Sequence, residues 1–197
     1  MYSRKSSEEK GKITSVVLKE FLSITGDGIK NLQHLFETDN RASFYKNDLL
    51  KVYEKELQDV LPKGKQKELV AIGNHCRGTT FLNANHLINE QLHTVFDEIS
   101  IPIKGYHFGR YDLRVPSLKD LYQGKNIKIM ELNGAASEPA HIYDPSMPIK
   151  KAYKYLFNHW QRLYEISIEN HKKGTEYSNS WIVIKAMRHN VKFKKEF

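Results

Sequence analysis

The chain has 197 residues, long enough to bury one core of ordinary domain size. Its 40% hydrophobic and 27% charged content exclude a disordered or fibrous protein and suit a soluble globular one. A net charge of +8 leaves nucleic acid, a membrane surface or an anionic ligand as attractants.

The lysines run along the whole chain, with some excess in the last thirteen residues, and no common RNA- or DNA-binding motif is present. The charge therefore reads as solubility plus attraction for nucleotide phosphates, with neither nucleic acid nor membrane expected as a partner. The single cysteine, Cys76, excludes a disulfide framework within the monomer and fits a reducing compartment. The opening MYSRKSSEEKGK has no apolar core of signal-peptide type. No run of about 18 apolar residues occurs, so no transmembrane helix is expected. A cytoplasmic location is the expectation.

Residues 1–12 are polar and read as a frayed terminus or as the remnant of a strand. Ile13–Ile24 is rich in β-branched and aromatic residues and predicts a strand. Thr25-Gly26-Asp27-Gly28 predicts a turn, and Ile29–Glu37 a helix carrying Ile29, Leu32, Leu35 and Phe36. The turn lacks the Lys-Ser/Thr of a phosphate loop and the third glycine of a dinucleotide loop, so a tight strand-to-helix turn is the simpler reading.

Asn47–Val60 predicts an amphipathic helix closed by Pro62 and Gly64, and Glu68–Ile72 a short strand. Gly73–Leu82 (GNHCRGTTFL) predicts a polar loop. His75 and Cys76 are adjacent and point apart on an extended chain, and too few further ligands lie nearby for zinc. Asn85–Ile99 predicts a helix capped by Asn83 or Asn85. His86 and His93 read as surface or cap groups. Met147–His171 predicts a long helix whose stripe of Tyr153, Leu156, Phe157, Trp160, Leu163, Tyr164 and Ile168 is expected in the core, ended at Gly174. Glu176–His189 predicts a last helix before a basic tail.

Between these lie two β-type runs, Gly105–Val115 and Asn126–Leu132, separated by a polar connection with Pro116 and Gly124. Alternation puts Arg110, Asp112 and Arg114 on one face of the first run. In the second it puts Glu131 and Asn133 on one face together with Ile127 and Ile129. If the runs pair, two carboxylates and an amide converge beside an arginine. Oxygen ligands of this kind suit magnesium, and arginine suits phosphate. A solvated face of an ordinary hairpin would show the same spacing.

The order Arg-x-Asp on one strand and Glu-x-Asn-Gly on the next resembles the magnesium-binding signature of ATP-grasp ligases, the family of D-alanine–D-alanine ligase, cyanophycin synthetase and the glutathione synthetases. The resemblance covers roughly residues 13–145. It implies that Asp112, Glu131 and Asn133 hold two magnesium ions (manganese being the substitute), with Glu131 bridging them. It implies that Arg110 contacts the transferred phosphate of ATP. Glu131 and Arg114 join Arg110 on the nucleotide side, and Arg77 in the Gly73–Leu82 loop approaches phosphate or acyl group. Ser137, in the Gly134–Pro145 run that resembles the family's substrate-facing loop, and Asn74 are implied substrate contacts. The TGDG turn resembles an architectural segment of the family. The longer interval from Asp112 to Glu131 implies an inserted connection.

The implied fold is α+β: the C-terminal ATP-grasp subdomain over residues 1–145, a mostly antiparallel sheet covered by helices, with a helical extension over 146–197 packed on it. The implied activity is ATP- and magnesium-dependent joining of a small carboxylate to an amine through an acyl phosphate. The chain would be the catalytic half of such a ligase, inactive alone, with the N-terminal half as a separate chain or a homodimer as partner. The alternative is a non-catalytic remnant of the same fold acting as a binding module.

Overall fold

Residues 1–70 and 78–193 are described by the computed structural model of the protein, with side chains through residue 188. The architecture is mixed, and every paired strand is antiparallel, which places it in the α+β class. The strands are β1 (Tyr2–Ser3), β2 (Lys12–Ile13), β3 (Val17–Glu20), β4 (Ser23–Thr25), β5 (Gln66–Glu68), β6 (Thr80–Asn83), β7 (Phe108–Arg114) and β8 (Lys128–Asn133). The helices are α1 (Leu32–Thr38), α2 (Lys46–Val52), α3 (Glu90–Ser100), α4 (Leu118–Tyr122), α5 (Ile149–Lys172) and α6 (Ser180–Phe193).

Four strands form one sheet in the order β2-β1-β7-β8, while β3 pairs with β6 and β4 with β5. The start of the chain is therefore not frayed. β1 lies between β2 and β7, with Tyr2 and Ser3 fully buried. The expected single strand over Ile13–Ile24 is three pieces, β2, β3 and β4, each in a different sheet. Its β-branched composition was right, but composition does not say which partner each piece finds.

The first core lies under α1 and α2, where Leu22, Ile24, Leu32, Phe36, Leu49 and Leu69 close on one another. Here Asp27 ends the turn by accepting from the Ile29 and Lys30 amides through Oδ1 at 2.8 and 2.7 Å. Asn31, not an earlier residue, caps α1 through the His34 amide, so Ile29 precedes the helix and stands exposed. The expected helix over Asn47–Val60 stops at Val52 and continues as a 3-10 turn at Glu54–Glu56. The strand expected over Glu68–Ile72 lies earlier, at Gln66–Glu68, so that Leu69 and Val70 follow it, and the last two residues of the expected range lie outside the described residues.

The second core sits between α3 and the four-stranded sheet. Leu92, Val95 and Phe96 of α3 meet Tyr2, Ile13 and Leu121, with Tyr106, Tyr111 and Leu113 at its margin. The α3 cap is Asn89, whose side chain accepts from the Leu92 amide at 2.9 Å. Asn83 and Asn85, the expected caps, instead hold the preceding 3-10 turn and the Val16 amide. The connection between β7 and β8 contains α4, capped by Ser117.

α5 reaches the body through Ile166 and Leu163, which join Met1 and Phe108 in a third cluster. It ends in a Schellman turn: Gly174 at φ +96° donates to His171, and Thr175 donates to Asn170. The aromatic stripe expected in the core is not there. Tyr153, Phe157, Trp160 and Tyr164 are exposed; of the expected stripe Leu163 does pack, on a face that it shares with Tyr155, His159 and Ile166. Two apolar stripes share the helix, and spacing alone does not choose between them. α6 begins four residues later than the start of the expected Glu176–His189 helix, and its side chains through residue 188 are exposed.

A buried carboxylate ties the start of the chain to α3. Asp97 Oδ1 accepts from the Tyr2 hydroxyl and from the Gly11 amide, both at 2.8 Å. Burial and this bond hold the Tyr2 hydroxyl well above the ordinary phenol range. Asp97→Ala leaves two buried donors unpaired. It should cost about 3 kcal/mol and lower Tm by roughly 6–12 °C. A thermal melt within a degree of the parent would show that this anchor is unimportant.

Candidate functional site

The site is built on the β7–β8 pair. Arg110 stands opposite Asn133, and Asp112 opposite Glu131. Directly opposed residues share a face, with Cβ atoms roughly 5 Å apart. After Asp112 the register shifts: Leu113 faces Ile129 and Arg114 faces Lys128, so Met130 is the extra residue of a bulge. The bulge corrects the alternation expected from sequence. Glu131 and Asn133 do not share a face with Ile129, which stands opposite Leu113 on the side turned to α3, and Ile127 packs there as well. Apolar and polar side chains of β8 thus part company at Met130.

Gly109 precedes Arg110, and only a glycine fits. A Cβ there would lie 2.2 Å from the Asn133 carbonyl oxygen and 2.5 Å from the Tyr106 hydroxyl. The close approach holds the Asn133 end of β8 against β7.

Asp112 is the electrostatic centre. Its Oδ2 accepts from Lys19 Nζ on β3 at 2.9 Å, and its Oδ1 from Arg110 Nε at 2.9 Å. Burial disfavours its charged form, but the Lys19 hydrogen bond and the Arg110 charge outweigh burial and hold the carboxyl below the usual carboxylate range. The Met1 ammonium also lies in this field. It donates to the Ser15 carbonyl at 2.7 Å, and burial, then Arg110, push it down to about 5.

A cavity of about 310 Å³ opens past the ends of the two strands. Phe81 of β6, Arg110, Asn133, Ser137, Glu138 and Tyr143 line it. The loop after β8 is shaped by Ser137, which donates to the Gly134 carbonyl at 2.6 Å, and by a bond from the Tyr143 hydroxyl to Glu138. Asp144 then accepts from the Asn83 amide at 2.7 Å, tying this loop to β6. Beneath lies His141, fully buried, with Nδ1 2.6 Å from Ser15 Oγ; burial, then the chain-start ammonium and Lys151, push its pKa down to about 4.

Of the residues singled out from sequence, Arg110, Asn133 and Ser137 meet at this cavity, and Asp112 and Glu131 flank it on the strand face. Arg114 sits farther along β7, its guanidinium 5.6 Å from the centre of the Phe21 ring. Arg77 and Asn74 lie outside the described residues. Part of the expected Gly73–Leu82 loop is strand β6. Sequence reading missed Lys19, Phe81, Glu138 and Tyr143. Lys19 and Phe81 are opposed across β3–β6 and face Asp112 together, a pairing that no local pattern announces.

The donor set fits a hard cation by chemistry: two carboxylates and an amide oxygen. No cluster of three His, Cys, Asp or Glu side chains capable of holding a metal occurs among the described residues. Two protein cations occupy both oxygens of Asp112, so a cation there would have to displace at least one of them. The Asn133 amide nitrogen is buried with no hydrogen-bond partner. No protein-family model matches the chain, and no curated protein matches it either.

Two outcomes check the geometry. Lys19→Met removes the first of the stabilising bonds, so the Asp112 carboxyl should titrate higher by carboxyl NMR. A depressed carboxylate contributes stability above its unfolded value of about 3.9 and loses it as pH falls through the folded value. The variant should therefore show a weaker loss of stability below about pH 4 than the parent. An unmoved titration would place Lys19 elsewhere. Gly109→Ala should cost roughly 1–3 kcal/mol and shift the Asn133 amide resonances, because the new methyl meets backbone. Unchanged spectra and melting would contradict the close approach.

Proposed function

We propose that the chain supplies the magnesium- and phosphate-binding face of an ATP-dependent carboxylate–amine ligase of ATP-grasp type. The observation carrying this reading is the register that sets Arg110 opposite Asn133 and Asp112 opposite Glu131, on one face beside an open cavity. Asp112, Glu131 and Asn133 are the residues that would hold magnesium. When bound, the metal would neutralise charge on the transferring phosphoryl oxygens.

The chain's own groups take the remaining roles. Arg110 reaches the cavity while braced by Asp112, and its remaining guanidinium donors suit a phosphate oxygen. Lys19 keeps Asp112 ionised, and is the group that a metal at Asp112 would displace toward phosphate. Ser137 and Tyr143 line the place where a small carboxylate would sit, and each hydroxyl would have to turn from Gly134 or Glu138 to donate to it, while Glu138 offers a counter-charge to an amine. The substrates of this reading are ATP, a small carboxylate and a small amine, with a second polypeptide or a second copy completing the nucleotide clamp.

One observation favours a second reading, a non-catalytic remnant that keeps the fold as a binding module. Asp112 is already neutralised by Lys19 and Arg110, so the structure as it stands needs no metal. Manganese titration separates the two. In the ligase reading, Mn2+ with ATP broadens the NMR signals of residues 112, 131 and 133 first. Asp112→Asn abolishes the effect, and Lys19→Met strengthens Mn2+ binding several-fold by removing a competing cation. Uniform or absent broadening would reject the metal site and leave the binding module.

A further inference from the structure

The formal charge of the chain is concentrated at one end. Residues 146–197 hold eleven Lys and Arg against four Asp and Glu, which is +7 of the total +8. The remaining 145 residues are nearly neutral. The same segment exposes a large amount of apolar side chain. On α5, Ile149, Tyr153, Phe157, Trp160 and Tyr164 recur at helical spacing, from 57% exposed at Trp160 to 74% at Ile149. They point away from the body, which α5 contacts through Tyr155, His159, Leu163 and Ile166. Lys150, Lys154 and Lys172 are exposed along one flank of this stripe.

α6 repeats the composition without a preferred side. Trp181, Ile182, Val183 and Ile184 are consecutive and exposed, so at about 100° per residue they reach every quarter of the helix. Met187 is exposed as well, and Lys185 and Arg188 stand among them. Both tryptophans of the chain, Trp160 and Trp181, are on these two surfaces.

We propose that α5 and α6 form a docking surface for an anionic lipid bilayer, on which the helices lie without crossing. No helix among the described residues is long and apolar enough to span a membrane, which agrees with a helix lying in the interface. Charge complementarity selects the occupant. A second copy would bring the same excess of positive charge, with Lys150, Lys154, Lys172, Lys185 and Arg188 exposed beside the apolar side chains, to the same contact and is repelled. An acidic protein groove covers one stripe of a helix. It would leave half of the ring of apolar side chains on α6 in water, whereas a bilayer, into which a helix lying in the interface sinks roughly 5–10 Å, reaches the flanks of the ring as well as its underside. Tyr and Trp with lysines at the margin are the side chains that settle at the headgroup level. The sequence alone gave no reason to expect a membrane, because no single run is apolar enough. The surface exists only once α5 turns its second stripe outward. This inference does not depend on the ligase reading, and either can fail alone.

The test uses the full chain and its two tryptophans. Vesicles of phosphatidylcholine containing about a quarter phosphatidylglycerol should co-sediment the protein at least tenfold more tightly than pure phosphatidylcholine vesicles. The tryptophan emission should shift to the blue on binding. Raising salt from about 0.05 M to about 0.5 M should release most of it, since exposed charges are then screened. Phe157→Ser with Trp160→Ser changes exposed side chains only, so the fold survives; it should weaken binding about tenfold and leave the Trp181 shift. Lys150→Glu with Lys154→Glu should abolish the preference for anionic lipid. No co-sedimentation, or binding unaffected by the serine pair, overturns the proposal. So does tighter binding to poly-glutamate or to RNA than to vesicles, or self-association in place of vesicle binding.

Discussion

The antiparallel register of β7 with β8 is the constraint on which the rest of the site depends. Asp112 opposite Glu131 brings two like charges onto one face, an arrangement that costs energy unless cations attend it. Lys19 and Arg110 attend it here. The bulge at Met130 makes the arrangement compatible with a core. Without the extra residue, the side of β8 that carries Glu131 and Asn133 would also carry Ile129. With it, Ile129 moves to the side of Leu113, still partly exposed, while Glu131 stays opposite Asp112 and Asn133 stays at the cavity. Because side chains alternate with period two, one inserted residue is enough to exchange faces.

The same register explains why the cavity has mixed character. Arg110 and Asn133 close its floor, and the loop after β8 folds back so that Ser137, Glu138 and Tyr143 form its rim. That loop is held at both ends. Asp144 bonds to the β6 backbone, and buried His141 bonds to Ser15. A neutral imidazole is what burial favours at that place, and a charged one would loosen the loop from beneath. The floor and the rim are thus fixed by groups that do not themselves face the cavity.

The C-terminal helices obey a different logic. α5 is apolar on two faces, one spent on the body and the other displayed. Arg162 and Glu8, with Lys5 and Glu165, pin the helix to the chain start through ion pairs at its margin. The more open Lys5–Glu165 pair contributes little energy, whereas Arg162 grips both Glu8 oxygens in a part-buried place and is the stronger tie; together they orient the helix. Orientation is what matters, because it decides which of the two stripes meets water.

By itself the sequence determined the elements whose signal is local. Periodicity located α3 and α5, Gly174 located the end of α5, and the alternating runs located β7 and β8. It also placed Arg110 and Asp112 on one face of a first strand and Glu131 and Asn133 on one face of a second, since side-chain alternation needs only the strand assignment; that the two strands pair was left to the structure. Tertiary structure decided the rest. The apolar stretch Ile13–Ile24 broke into three strands because each piece found a different partner: β2 the chain start, β3 the distant β6 and β4 the distant β5. Lys19 reached Asp112 across 93 positions of sequence, and no window of residues contains such a contact. The bulge at Met130 depends on the fit of two strands together, and the outward stripe of α5 depends on which face the body claimed first. Local patterns record what a segment is able to bury; only the assembled chain settles what it does bury.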